Sequence, residues 1–149
     1  MTTPTIFSDV ATNPLVYRSQ PQGVLAQRFV LTVPVGAAIG TNFGLIRFDR
    51  GFSLLSLALV STDMDTATTL TLNVGYLYDG TTGEVNNAFF NASALGQSAT
   101  SIVWPIATGL LTGTSFVATG PGYLSITTAG EPIEVAGTIT GIATFTYNL

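Results

Sequence analysis

The chain of 149 residues has no histidine, no cysteine and no lysine. Its cations are Arg18, Arg28, Arg47 and Arg50. These absences remove the usual general base, the thiol nucleophile, the Schiff-base amine and the commonest metal ligands. Without cysteine there are no disulfide staples either. Charge is scarce: 8% of residues are Asp, Glu, Lys or Arg, against about 25% in an average protein. The hydrophobic share is an ordinary 46%, and Thr, Ser, Asn and Gly make up the difference. Such a composition suits surfaces and interfaces better than chemistry. A surface this poor in charge is best covered, so burial in a homo-oligomer or larger assembly is expected. The net charge of −4 and the scattered arginines offer no basic stripe for phosphates or anionic lipid. Direct nucleic-acid binding and membrane recognition are therefore not expected.

The first 26 residues differ from the rest. Pro4, Pro14 and Pro21 interrupt them, each removing a backbone donor and biasing its predecessor toward extended geometry. Between them lie Ile6, Phe7, Leu15, Val16 and Tyr17. Residues 1–26 are read as an extended N-terminal arm with apolar anchors. It either docks on a neighbouring subunit, or is a tail that packs on its own domain or frays. No basic and apolar leader is visible in this stretch, and the apolar run at 52–60 is too short to span a bilayer.

Residues 27–149 read as strands. Period-two alternation and β-branched enrichment place them at 27–35, 45–48, 52–60, 69–78, 85–90, 102–106, 115–118, 123–128 and 135–147. The 52–60 segment is apolar on both faces and is expected at the centre of a sheet. Within 27–35, Phe29, Leu31, Val33 and Val35 fall on one face with Arg28 and Thr32 opposite, and Pro34 marks a strand end or an edge. Residues 91–97 (NASALGQ) could hold one helical turn capped by Ser93. The predicted fold class is all-β, an antiparallel jelly roll or β-sandwich with the N-terminal arm attached.

Few constellations could carry chemistry. Asp63 and Asp65 lie on a loop rich in hydroxyls and could ligate calcium. The plainer reading is a polar turn bonded to its own backbone, and no metal or cofactor is expected. Glu131 and Glu134 could make a carboxylate pair, but solvated charge is the plainer reading and no enzyme activity is expected. Arg47 and Arg50 frame a charged turn suited to an ion pair across an interface. Trp104 is either an interface anchor or a core or strand-end residue. The candidate interface residues are Ile6, Phe7, Leu15, Tyr17, Arg47, Arg50 and Trp104.

Four phrases carry a resemblance. They are RFVLTVPV at 28–35, STDMDTATTLTLNVGY at 61–76, ALGQ at 94–97, and the closing strand from GTIT to ATFTY at 137–147. From Gln27 onward the chain resembles small tailed-bacteriophage virion proteins of the capsid decoration or cement type. The resemblance implies a jelly roll that binds the major capsid protein on the capsid exterior, commonly as a homotrimer. The arm would then reach a shell subunit or a sister protomer. A head-fibre, tail or baseplate component, or a carbohydrate-binding jelly-roll module, are the alternative readings. No catalytic residues are implied.

Overall fold

The computed structural model describes residues 4, 6–11, 24–79, 85–104 and 116–147. Among these described residues ten strands follow one another: β1 (Ile6–Phe7), β2 (Leu25–Val33), β3 (Asn42–Phe48), β4 (Phe52–Ser61), β5 (Thr71–Tyr78), β6 (Val85–Ser93), β7 (Thr100–Trp104), β8 (Phe116–Val117), β9 (Gly122–Ala129) and β10 (Gly137–Tyr147). One sheet has the order β1-β3-β9-β5-β6. The other has β2-β10-β4-β7, with β8 continuing the line of β7 along β4. All these pairs are antiparallel except β1 on β3.

Apart from β1 and β8, the chain changes sheet at every step but the β5–β6 hairpin. That wrapping is a jelly roll, two antiparallel sheets face to face. Alternation explains the core. Phe29, Leu31 and Val33 of β2 point inward, as do Ile139, Ala143 and Phe145 of β10, and all are buried. Arg28 and Thr32 point out. One end of the core is aromatic: Phe52 lies 4.8 Å from Phe145 and 5.3 Å from Phe48, and Tyr76 stacks on Phe116 at 4.3 Å.

Two expectations change, and the central placement of β4 holds. The helical turn at 91–97 is absent. Ser93 ends β6, its hydroxyl accepts the Leu95 amide at 3.1 Å, and Gly96 turns the chain with φ of 94°. A left-handed residue there cannot continue a helix. Val35 is exposed rather than facing the core. Pro34 ends β2, and Gly36 follows with φ of 83°. Strand β4 is central, between β10 and β7, yet only one of its faces is buried. Leu55 and Val60 emerge on the other.

Part of the segment read as an arm is built into the body. Strand β1 adds to the edge of β3 with Ile6 opposite Phe43 and Phe7 opposite Gly44. The Ser8 amide donates to Gly44 O at 2.8 Å, and the Ser8 hydroxyl donates to Leu45 O. Asp9 exchanges bonds with Val30 of β2, donating to Val30 O at 3.1 Å and accepting its amide at 2.8 Å. These residues close one side of the sandwich.

Candidate assembly surfaces

The outer face of the β3-β9-β5 sheet carries small residues in one row. Ser125 of β9 lies between Gly44 and Gly75. A side chain at Gly44 would meet the Phe7 ring at 2.8 Å, so the glycine admits that ring. Phe7 then reaches Tyr123, ring centres 5.4 Å apart. Arg47 lies 4.8 Å over the other side of that neighbourhood, above the Tyr123 ring. Its guanidinium forks onto Asp79, with one N–H···O contact of 2.9 Å. The Asp79 carboxylate is the main reason Arg47 holds its proton more tightly than usual. The side chains are 25% and 41% exposed, so this pair contributes about 0.2–1 kcal/mol.

The candidate interface residues are thus dispersed. Phe7 and Arg47 meet around Tyr123, and the Arg47 fork is made within its own chain. Ile6 turns toward the core. Arg50 is exposed on the β3–β4 turn. Trp104 ends β7 on the opposite sheet and packs on Phe89 at 4.6 Å. Leu15 and Tyr17 lie outside the described residues.

The outer face of the β2-β10-β4-β7 sheet was not singled out from sequence. Ladder register places Ile142, Ala58 and Val103 in one row and Thr140, Val60 and Ser101 in the next. Val103 is 56% exposed, Val60 55%, Ile142 47% and Leu55 40%. The signal was present as two apolar faces in one strand, but periodicity cannot tell a second buried face from a face awaiting a partner.

At the end of the sandwich bearing the β4–β5 loop, carboxylates gather. Those of Asp65, Glu131 and Glu134 lie within 4.8 Å of one another. Asp65 is only 5% exposed. It accepts the amides of Leu70 at 2.9 Å, Ala67 at 3.0 Å and Thr69 at 3.0 Å. Asp63 accepts the Asp65 amide at 3.2 Å, and Glu134 accepts the Thr66 amide at 2.9 Å. Asp63 and Asp65 therefore shape their own loop, as the polar-turn reading expects, and Glu134 reaches across to it. The set that converges includes Glu131 and Glu134 and leaves out Asp63.

The Leu70 amide, then those of Ala67 and Thr69, hold the Asp65 carboxyl below its ordinary value of 3.8. A depressed folded pKa means the ionised form favours the fold. That contribution is complete above the unfolded pKa of about 4 and disappears as pH falls through the lower folded value. Melting temperatures of wild type and Asp65→Asn from pH 7 down to 2 should diverge most at neutral pH and converge in acid. Parallel curves would refute the role.

The fold is shared with chains from three phage capsids. A chain in the capsid of Ralstonia phage GP4 superposes with a TM-score of 0.71 at 23% identity, covering 97% of this chain and 98% of that one. A chain in the cyanophage Pam1 capsid asymmetric unit gives 0.65 at 20% identity, covering 85% and 86%. One in the acidic stable capsid structure of Helicobacter pylori bacteriophage KHP30 gives 0.53 at 14%, covering 84% and 90%. No protein-family model and no curated protein matches the sequence. At these identities the likeness is one of fold.

Proposed function

We propose that this chain is a structural phage virion protein, a capsid decoration or cement protein that binds the outside of the head shell as a homotrimer. It acts by binding alone. The observation that carries the reading is the end-to-end likeness to a chain of the GP4 capsid, 97% of one chain on 98% of the other. What is shared is the whole jelly roll and not a common module inside something larger.

The physics of the surface supports it. A cement protein needs a stiff scaffold and broad faces that lose little by leaving water. A jelly roll with its long ladders supplies the first. The exposed aliphatic residues on the outer face of β10, β4 and β7 supply the second. Because each copy in a trimer can touch the shell, modest single contacts multiply.

The test is direct. The purified protein is mixed with capsids assembled from the major capsid protein of the same genome and sedimented. Saturable co-sedimentation, with a rise in shell melting temperature, is the expected result. Protein left in the supernatant at saturating concentration removes the cement reading, and labelling confined to tails on whole particles would redirect it to a tail component.

A further inference from the structure

We infer that the side of the sandwich between the edges of β3 and β2 is a peptide-binding groove. Its ligand is an extended peptide with Phe, Ser and Asp in succession. Pro4 and residues 6–11 of this same chain fill it as a strap that can leave without unfolding the body. The groove is independent of any role in a virion.

Three consecutive residues make three different contacts. The Phe7 ring lies over Gly44. A Cβ placed at Gly44 would first meet Phe7 Cδ1 at 2.8 Å, Phe7 Cε1 at 3.2 Å and Pro4 Cβ at 3.2 Å. All three atoms belong to the strap, so the missing side chain makes a slot for the strap's ring. Ser8 meets a bulge. Register along β3 passes from Gly44 opposite Ser125 to Ile46 opposite Leu124, which leaves Leu45 without a partner on β9. The Ser8 hydroxyl donates to Leu45 O, and the Ser8 amide donates to Gly44 O at 2.8 Å. Asp9 crosses to the other sheet. Its amide donates to Val30 O at 3.1 Å, and its carboxylate accepts the Val30 amide at 2.8 Å. That carboxylate stands where the carbonyl of a neighbouring strand would, on the outermost strand β2. Main-chain bonds to a sheet edge with side-chain slots for selectivity are how extended peptides are bound by strand addition.

The strap is separable from the core. Among the described residues every buried member of the core cluster lies at Phe29 or later, and Ile6 and Val10 are only partly buried against it. Strand β1 pairs with β3 through two residues, whereas β9 holds the other side of β3 from Asn42 to Phe48. The chain also has length to let the strap go. Asp9 sits beside Val30, which is five residues from Leu25 at the start of β2, about 17 Å along the strand. Sixteen residues of chain join Asp9 to Leu25, enough to cover about 55 Å when extended. A released strap stays tethered and therefore locally concentrated. The emptied groove presents Gly44 O, Leu45 O and both backbone groups of Val30 on two bare edges, ready for a peptide of the same order.

The test titrates a fluorescein-labelled peptide, PTIFSDVA, the sequence of residues 4–11, against the full chain and reads anisotropy. Phe7→Ala with Ser8→Pro removes the ring and both Ser8 donors from the tethered strap. That variant should bind the peptide saturably and about tenfold or more tighter than wild type, whose groove is already filled. Adding Gly44→Val should cost about tenfold of that binding, and so should alanine at the phenylalanine of the peptide. Circular dichroism should show both protein variants folded, with cooperative melting. In wild type the amides of Ser8, Asp9 and Val30 should exchange with deuterium about a hundredfold faster than those of the β10–β4 ladder, because the strap opens alone. Four results would each overturn the groove: peptide bound no better by the strap variant than by wild type, binding indifferent to Gly44→Val, cooperative melting lost with the strap, or equal protection of the two sets of amides.

Discussion

Phe52→Ala is expected to remove about 3–5 kcal/mol of stability, the usual cost of deleting a fully buried aromatic side chain. Phe52 opens β4 and is completely buried. Its ring lies 5.3 Å from Phe48 of β3, 4.8 Å from Phe145 and 5.7 Å from Tyr147 of β10. It therefore touches both sheets, and the cavity it leaves is walled by strands that cannot close independently. Its backbone bonds do not depend on the side chain: the Phe52 amide donates to Asp49 O at 3.2 Å, and Phe52 O accepts the Ala118 amide at 2.7 Å. The loss is one of packing. Domains of this kind have about 5–15 kcal/mol in hand, so the variant should still fold at low temperature, with its melting point lower by about 10 °C or more. Urea unfolding followed by circular dichroism gives the number. A loss near 1 kcal/mol would mean the aromatic end relaxes freely into the space.

Gly141→Val should leave little or no folded protein. By local preference the change looks favourable, since valine suits strands better than glycine by up to about 1 kcal/mol. The packing opposes it. A Cβ at Gly141 would lie 2.3 Å from Phe29 Cζ, 2.8 Å from Leu59 Cδ2 and 2.9 Å from the Ala58 carbonyl oxygen. Phe29 and Leu59 are the ladder partners of Gly141 on β2 and β4, so β10 is held from both sides and cannot shift away from either. Overpacking of this kind costs about 3 kcal/mol or more. Gly120→Ala is the matched control, because nothing lies within 4 Å of its Cβ position. Soluble yield and melting temperature of the two variants separate the accounts. A stable Gly141→Val protein would show that β10 has room the present packing denies.

Much of this molecule is legible in its residues. Thr-rich alternation in the stretch ending at Tyr147 predicts a strand buried on one face, and β10 is that strand, at the centre of its sheet. Pro34 predicts a strand end, and β2 ends at Val33 on a sheet edge. The same alternation fails at Val35, because inward direction holds only while the strand continues. It also says nothing of Gly44 and Gly75, whose value is the backbone and ring brought against them by β6 and by Phe7.

The sequence by itself determined the absence of histidine, cysteine and lysine, the scarcity of charge, and the all-β class. These are properties of residue type and of spacing along one chain. Tertiary structure decided the rest. It paired Arg47 with Asp79, 32 residues away, gathered Asp65, Glu131 and Glu134 at one end, and left Val60, Val103 and Ile142 exposed on the outer face of one sheet. Strand order is a relation between distant segments, and period two reports only the side of a strand on which a residue stands. Which strand lies beside it, and whether the far side meets water or another molecule, is set by how the two sheets wrap.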